Sequence, residues 1–282
     1  MRRRVFAPIL GPTAVALSVT AALLPAQTPG MQLEVFDEGA MIEDRRGVTV
    51  PLDLTFRDEA GQAVQLRDYF ATGRPVVLNL GYYGCPTLCG AVMQTMVTAL
   101  SDCRLQLGED YEVVSVTIDP SESHDLARSK KSAYGQFWDE PAIEEHWHLL
   151  TGDEVPIKTL AEAVGFGHRW DNFRRVWDHG AGLFLVSPDG KLTQTLFGLG
   201  YTPRDLRFAL IEASEGTVGS AWDRVLLSCY TYDAETGTYG MAWTVVQIGG
   251  CLTVLGLASM LIVLWRRERR RVAPAAAAAT TP

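Results

Sequence analysis

Cys85 and Cys89 stand in "GYYGCPTLCG", where the apolar run "PVVLNLGY" gives way to residues with helical spacing. If Pro86 takes the first helical position, which its fixed backbone angle suits, the two thiols share one helix face a single turn apart. The unpaired amides and dipole of a helix start favour thiolate over thiol. Two neighbouring thiolates can hold a soft ion such as Cu(I), or close into a disulfide and exchange it as a redox pair. A purely structural disulfide is the plainer alternative, although such bonds gain more by closing long loops.

Cu(I) prefers a third ligand, and a neutral imidazole is the natural donor, so the five histidines need sorting. His179 opens "HGAGLFLVSPDGKL" with Asp178 beside it, just before a strand expected to lie next to the end of the cysteine-bearing strand. It is the candidate ligand, with a core-packed histidine as the alternative. His146 and His148 alternate in "HWHLL", which would put both on one strand face, and flanking Trp147 and Leu149 favour packing over metal binding. His124 and His168 fall in polar loops and read as solvated. Cys103 and Cys251 read as small buried hydrophobes.

These residues need a scaffold, and the chain alternates strand-like and helix-like segments. "VPLDLTF" and "QAVQL" flank the turn signal "DEAGQ" and suggest a hairpin. "PVVLNLGY", "YEVVSVTI", "HWHLL", "GLFLVSP" and "KLTQTLFG" read as strands. Residues 90–105, 123–137 and 155–164 read as helices, as does "PRDLRFALIEAS". The pattern is that of an α/β domain, a central mixed sheet covered by helices on both faces.

Both ends of the 282-residue chain differ from this domain. Residues 1–26 combine Arg2, Arg3 and Arg4 with a short apolar stretch and small residues near Ala26, as a secretory signal does. Residues 241–265 carry no charge and abut "RRERRR", long enough to cross a bilayer as one helix with its cytoplasmic end at the arginines. The expected layout is a signal (1–26), an N-terminal segment (27–49), the main domain (50–215), a polar linker (216–240), a transmembrane helix (241–265) and a cytoplasmic tail (266–282). The part between signal and tail holds 17 basic and 32 acidic residues, a net charge near −15 that repels nucleic acid and anionic lipid. Five cysteines are too few for a disulfide-stapled scaffold.

"GYYGCPTLC", "TIDPSES", "WHLLTG" and "DHGAGLFLVSPDGKL", in that order and spacing, resemble the SCO/SenC family of copper chaperones for cytochrome c oxidase assembly. The resemblance covers residues 50–214 and implies a thioredoxin-like fold. It also implies that Cys85, Cys89 and His179 bind one copper ion, as Cu(I) or Cu(II), for delivery to the CuA centre of oxidase subunit II. Asp119 and Pro120 match the family's Asp-Pro segment, and the residues after them depart from it, so Asp119 is expected at most to support the ligands. Typical members hang from an N-terminal helix. This chain instead pairs a signal with a C-terminal span, and "CYTYDAETGTYG" before that span is similar to a run in a bacterial subgroup. Cys229 in that run matches no family role.

Two other activities fit two cysteines. A thiol-disulfide reductase acting on CuA cysteines is the runner-up, although thioredoxin-type pairs have two intervening residues and here there are three. A peroxidase would want an arginine near its cysteine, and none lies near Cys85 in sequence. The resulting expectation is a single-pass protein of the cytoplasmic membrane, its domain on the outer, periplasmic face.

Overall fold

The computed structural model describes residues 41–85, 88–138, 140–215, 217–233 and 236–278. The expected signal, Pro86 and Thr87 lie outside them, as do the side chains of Leu88 and Cys89. Strands β1 (Thr55–Arg57) and β2 (Ala63–Gln65) pair antiparallel around the "DEAGQ" turn, as expected. Then come β3 (Val76–Gly81), α1 (Leu88–Asp102), β4 (Glu112–Thr117), α2 (His124–Phe137), α3 (Ile143–His146), β5 (Trp147–Leu150) and α4 (Glu154–Val164). The second half holds β6 (His168–Asp171), β7 (Val176–His179), β8 (Gly182–Val186), β9 (Leu192–Phe197), α5 (Pro203–Ala213), α6 (Ala221–Leu227), β10 (Tyr230–Asp233), β11 (Thr238–Met241) and α7 (Trp243–Ala278).

The main sheet has the order β5-β4-β3-β8-β9, with β3, β4 and β5 parallel and β8 and β9 antiparallel to their neighbours. β3 sits at its centre, which is why "VVLNL" carries no polar face: Val77 points into one core with α1 and α5, and Val76, Leu78 and Leu80 into the other with α4. This is a thioredoxin-like fold. Trp147, fully buried on β5, donates its indole N–H to Ser115 Oγ on β4 at 3.0 Å. Gly165 ends α4 in the left-handed region (φ 76°), where a Cβ would come within 2.4 Å of the Glu43 carbonyl oxygen.

Three expectations are corrected. Residues 216–240 are not a linker. α6 and the β10–β11 hairpin fold onto α5, with Tyr239 only 4% exposed, its hydroxyl 2.6 Å from Glu212, and Phe208 ringed by Tyr230 and Tyr239. The segment reads as polar because its buried area comes from tyrosines, whose rings pack while their hydroxyls are satisfied. His146 and His148 do not share a strand face, because His146 closes α3 and only His148 lies on β5. His168 is not in a polar loop: it opens β6, half-buried, in the β6–β7 ribbon that the sequence reading passed over.

Candidate metal centre

β3 delivers the chain to the site. After Gly81 the backbone turns through Tyr82 to Cys85, whose N–H reaches the Tyr82 carbonyl at 3.4 Å, and α1 starts at Leu88. Cys85 therefore precedes the helix, half-buried against the α4-side core, and Cys89 lies in the first helical turn. That placement keeps both residues at the positive end of α1.

Two residues clamp this turn. Tyr83 is buried, its hydroxyl 3.0 Å from the Ser115 carbonyl and 2.8 Å from that of Leu150, so it bolts the turn to β4 and β5. Burial holds its phenol well above the ordinary range. Glu122 closes the turn from outside: Oε2 accepts the Tyr83 N–H at 2.9 Å, Oε1 accepts the Gly84 N–H at 2.5 Å, and Thr117 donates its hydroxyl to Oε2. Burial raises the Glu122 carboxyl above the usual carboxylate range, against the pull of those three donors. Asp119, expected to support the site, instead caps its own turn through Ser121 at 2.9 and 2.6 Å. The sequence pointed to Asp-Pro; the residue that touches the cysteine turn is three positions further on.

His179 ends β7, is 5% exposed, and faces Tyr82 edge-on at 5.8 Å with Phe166 at 5.6 Å. Its Nδ1 lies 2.7 Å from the Gly180 carbonyl. A carbonyl only accepts, so Nδ1 carries the proton and Nε2 is the lone-pair nitrogen of the neutral ring. A small cavity is lined jointly by Asn79, Gly81, Tyr82, Tyr83, Met93 and His179, so the histidine does meet the end of the cysteine-bearing strand as its sequence position suggested.

The ribbon that carries His179 adds a residue that sequence reasoning missed. His168 is the direct cross-strand partner of His179, and Trp170 partners Trp177 two residues on. All four lie on one face of the ribbon. Burial, reinforced by His179, holds the His168 imidazole below its ordinary value. Arg174 ties the ribbon's other face, reaching Asp171 at 2.6 Å and Asp178 at 2.5 Å, and its donors hold Asp171 down to about 2. Period-two alternation in "HRWD" and "VWDH" was the available signal.

The remaining candidates are occupied elsewhere. His146 pairs with Glu112 at 3.0 Å, and His148 packs at a tilt against Tyr69, ring centres 4.3 Å apart, its pKa lowered by burial to about 4. His124 is partly exposed beside Asp125 at 3.6 Å. Cys103 is buried, donates to the Leu100 carbonyl at 3.1 Å, and burial pushes its thiol up. Cys251 is exposed on α7, not a buried hydrophobe within the protein. Among the described residues no three His, Cys, Asp or Glu side chains converge as a metal site, and the expected trio includes Cys89, whose side chain is not among them.

A family profile described as SCO1/SenC matches residues 45–210, well over half the chain. The chain belongs to the SCO1/SenC family. No match was found among curated protein sequences. Two solved structures from Aquifex aeolicus VF5, a candidate electron transfer protein and a candidate electron transport protein, share the fold. The first superposes with a TM-score of 0.54 at 20% identity, over 61% of this chain and 96% of its own. The second gives 0.50 at 21%, over 60% and 98%. Arabidopsis thaliana ScoI, crystallised with copper bound, gives 0.48 at 17%, over 57% and 96%. The SCO1/SenC match spans both the cysteine turn and the β6–β7 ribbon, and ends inside α5, before α6 and the hairpin.

Proposed function

We propose that this SCO1/SenC chain is a membrane-anchored copper chaperone that holds one copper ion between Cys85, Cys89 and His179 and passes it to the CuA centre of cytochrome c oxidase subunit II. The observation that carries the reading is the approach of His179, proton on Nδ1, to the Gly81–Tyr83 strand end that leads into Cys85. Family membership and the sequence motifs supply the rest. The donor chemistry fits: thiolates at a helix start suit Cu(I), and the Nε2 lone pair of a buried imidazole adds a borderline donor that also tolerates Cu(II). A half-exposed Cys85 lets a partner's thiolates reach the ion, and exchange between thiolates moves it without releasing it to water.

The second reading is a thiol-disulfide reductase, favoured by the same half-exposed thiol at the helix start. In that step Cys85 and Cys89 form a disulfide, and their two electrons and two protons reduce a partner disulfide to two thiols.

The anchor in this proposal is α7. Residues Gln247–Arg267 form an apolar helix of 21 residues, about 31 Å long and thus sufficient for a hydrocarbon core of about 30 Å. The arginine cluster from Arg266 to Arg271 supports a cytoplasmic end there, with the SCO1/SenC domain on the periplasmic face of the cytoplasmic membrane. Metal analysis with X-ray absorption on the purified, reduced protein tests the site. One copper bound by two sulfurs and one nitrogen is the expected result, with none retained by Cys85→Ser. Full occupancy in that variant would move the site elsewhere.

A further inference from the structure

Beyond the metal site, the part of the molecule next to α7 carries an apolar face that the proposed function does not use. On α6, Trp222 is 67% exposed, Val225 53% and Leu226 36%. At spacing i, i+3, i+4 these three form one stripe. The stripe is not free to turn inward. Asp223, on the other side of the helix, is held by Arg207 of α5 at 3.0 and 2.7 Å and closes a capping box with Ser220, while Leu227 packs on the core. α6 is thus fixed to the domain with its apolar stripe outward.

The position of the stripe is also fixed relative to the start of α7. The β10–β11 hairpin pairs Tyr230 with Met241, and the Ala242 N–H donates to the Cys229 carbonyl at 2.8 Å, so the end of α6 and the start of α7 touch. Seven helical residues extend about 10 Å, which puts Trp222 within about one such length of that junction. Around the junction Met241 and Trp243 are exposed too, at 43% and 65%. Two exposed tryptophans and three aliphatic or thioether side chains thus surround the point where the apolar helix departs. Trp is the residue that favours the water–lipid boundary, with its ring in the apolar layer and its N–H among headgroups.

We infer that α6 lies on the bilayer surface, with Trp222, Val225 and Leu226 seated at the boundary of headgroups and acyl chains beside the entry of α7. This rests on the reading of α7 as a membrane span. The occupant is lipid because the stripe lies within about one such helix length of the point where that span begins. Neutral headgroups are the expected class, since the domain's net charge near −15 repels anionic ones. A domain seated in this way does not swing on a loose tether. Its cysteine turn is held at one height and one orientation above the membrane.

The test uses the full chain reconstituted into phosphatidylcholine vesicles, some containing lipid brominated near the top of the acyl chain. Alkaline extraction comes first, and retention in the vesicles is expected. Release would overturn the span and the docking together. In the retained chain, brominated lipid should quench a component of tryptophan fluorescence that Trp222→Phe removes. Val225→Ser with Leu226→Ser, which leaves the core face of α6 untouched, should cut the quenching of Trp222 at least twofold while retention is unchanged. A retained chain whose Trp222 is unquenched by brominated lipid and open to aqueous iodide would overturn the docking alone. Shielding from both quenchers that grows with protein density would assign the stripe to a second copy, and equally overturn it.

Discussion

The turn from Gly81 to Cys85 and the hairpin of β10 and β11 are both short pieces attached to the same core, and they are held by different balances of the same forces. The turn is held by hydrogen bonds: Glu122 takes two of its backbone N–H groups, and the Tyr83 hydroxyl reaches two sheet carbonyls. The hairpin is held chiefly by ring area, with Phe208 between Tyr230 and Tyr239 and the Arg204 guanidinium 4.9 Å over Tyr230, and its tyrosine hydroxyls add bonds to Glu212 and to the Thr195 carbonyl. Directional bonds fix where a thiol sits to a fraction of an ångström; apolar packing fixes that a segment stays, with less demand on its exact pose. The difference fits the uses proposed for them, metal ligation for the turn and attachment for the hairpin.

Substitutions can break or sharpen this contrast, ordered by their expected effect on copper. Cys89→Ser should abolish stoichiometric copper, as for Cys85, because a hydroxyl is a poor Cu(I) ligand. Elemental analysis after gel filtration reads this. His179→Ala should leave Cu(I) held by two thiolates and weaken Cu(II) strongly, visible as loss of the wild-type Cu(II) absorption. Unchanged Cu(II) spectra would remove His179 from the site.

Glu122→Ala should weaken copper binding several-fold and cost about 2 kcal/mol of stability in denaturant titrations, since the Tyr83 and Gly84 amides and the Thr117 hydroxyl lose their acceptor. Glu122→Gln should fall between, because its oxygen can still accept one of these donors. Tyr239→Ala should invert the pattern, with about 3 kcal/mol lost from stability and copper affinity unaltered, as befits a residue packed on Phe208 and Glu212 of α5. If Tyr239→Ala lowered copper affinity as much as Glu122→Ala, the two regions would be coupled and the contrast would fail. The smallest effect belongs to Cys103→Ser and Cys251→Ser, which should leave copper stoichiometry unchanged.

The sequence by itself determined what depends on neighbours along the chain. Period-two and unbroken apolar runs marked β3, β4, β8 and β9. Helical spacing located α1, α2, α4 and α5 to within a few residues, and the uncharged stretch before the arginines marked the long helix α7. The cysteine pair and His179 stood out as candidates because their chemical types occur at element ends, and the order of their motifs carried the family.

Only the tertiary structure decided the contacts between distant segments. Glu122 lies 38 positions from Gly84, and nothing local distinguishes it from the more conspicuous Asp119 until the loop after β4 is packed against the turn after β3. His168 faces His179 only because the ribbon folds back at Phe173 to Arg175. Tyr230, Tyr232 and Tyr239 look like linker residues until α5 offers Phe208 and Glu212 to cover them. A side chain's type sets what it can do, but its burial and partners are set by whatever the rest of the chain brings against it, and that information is not local.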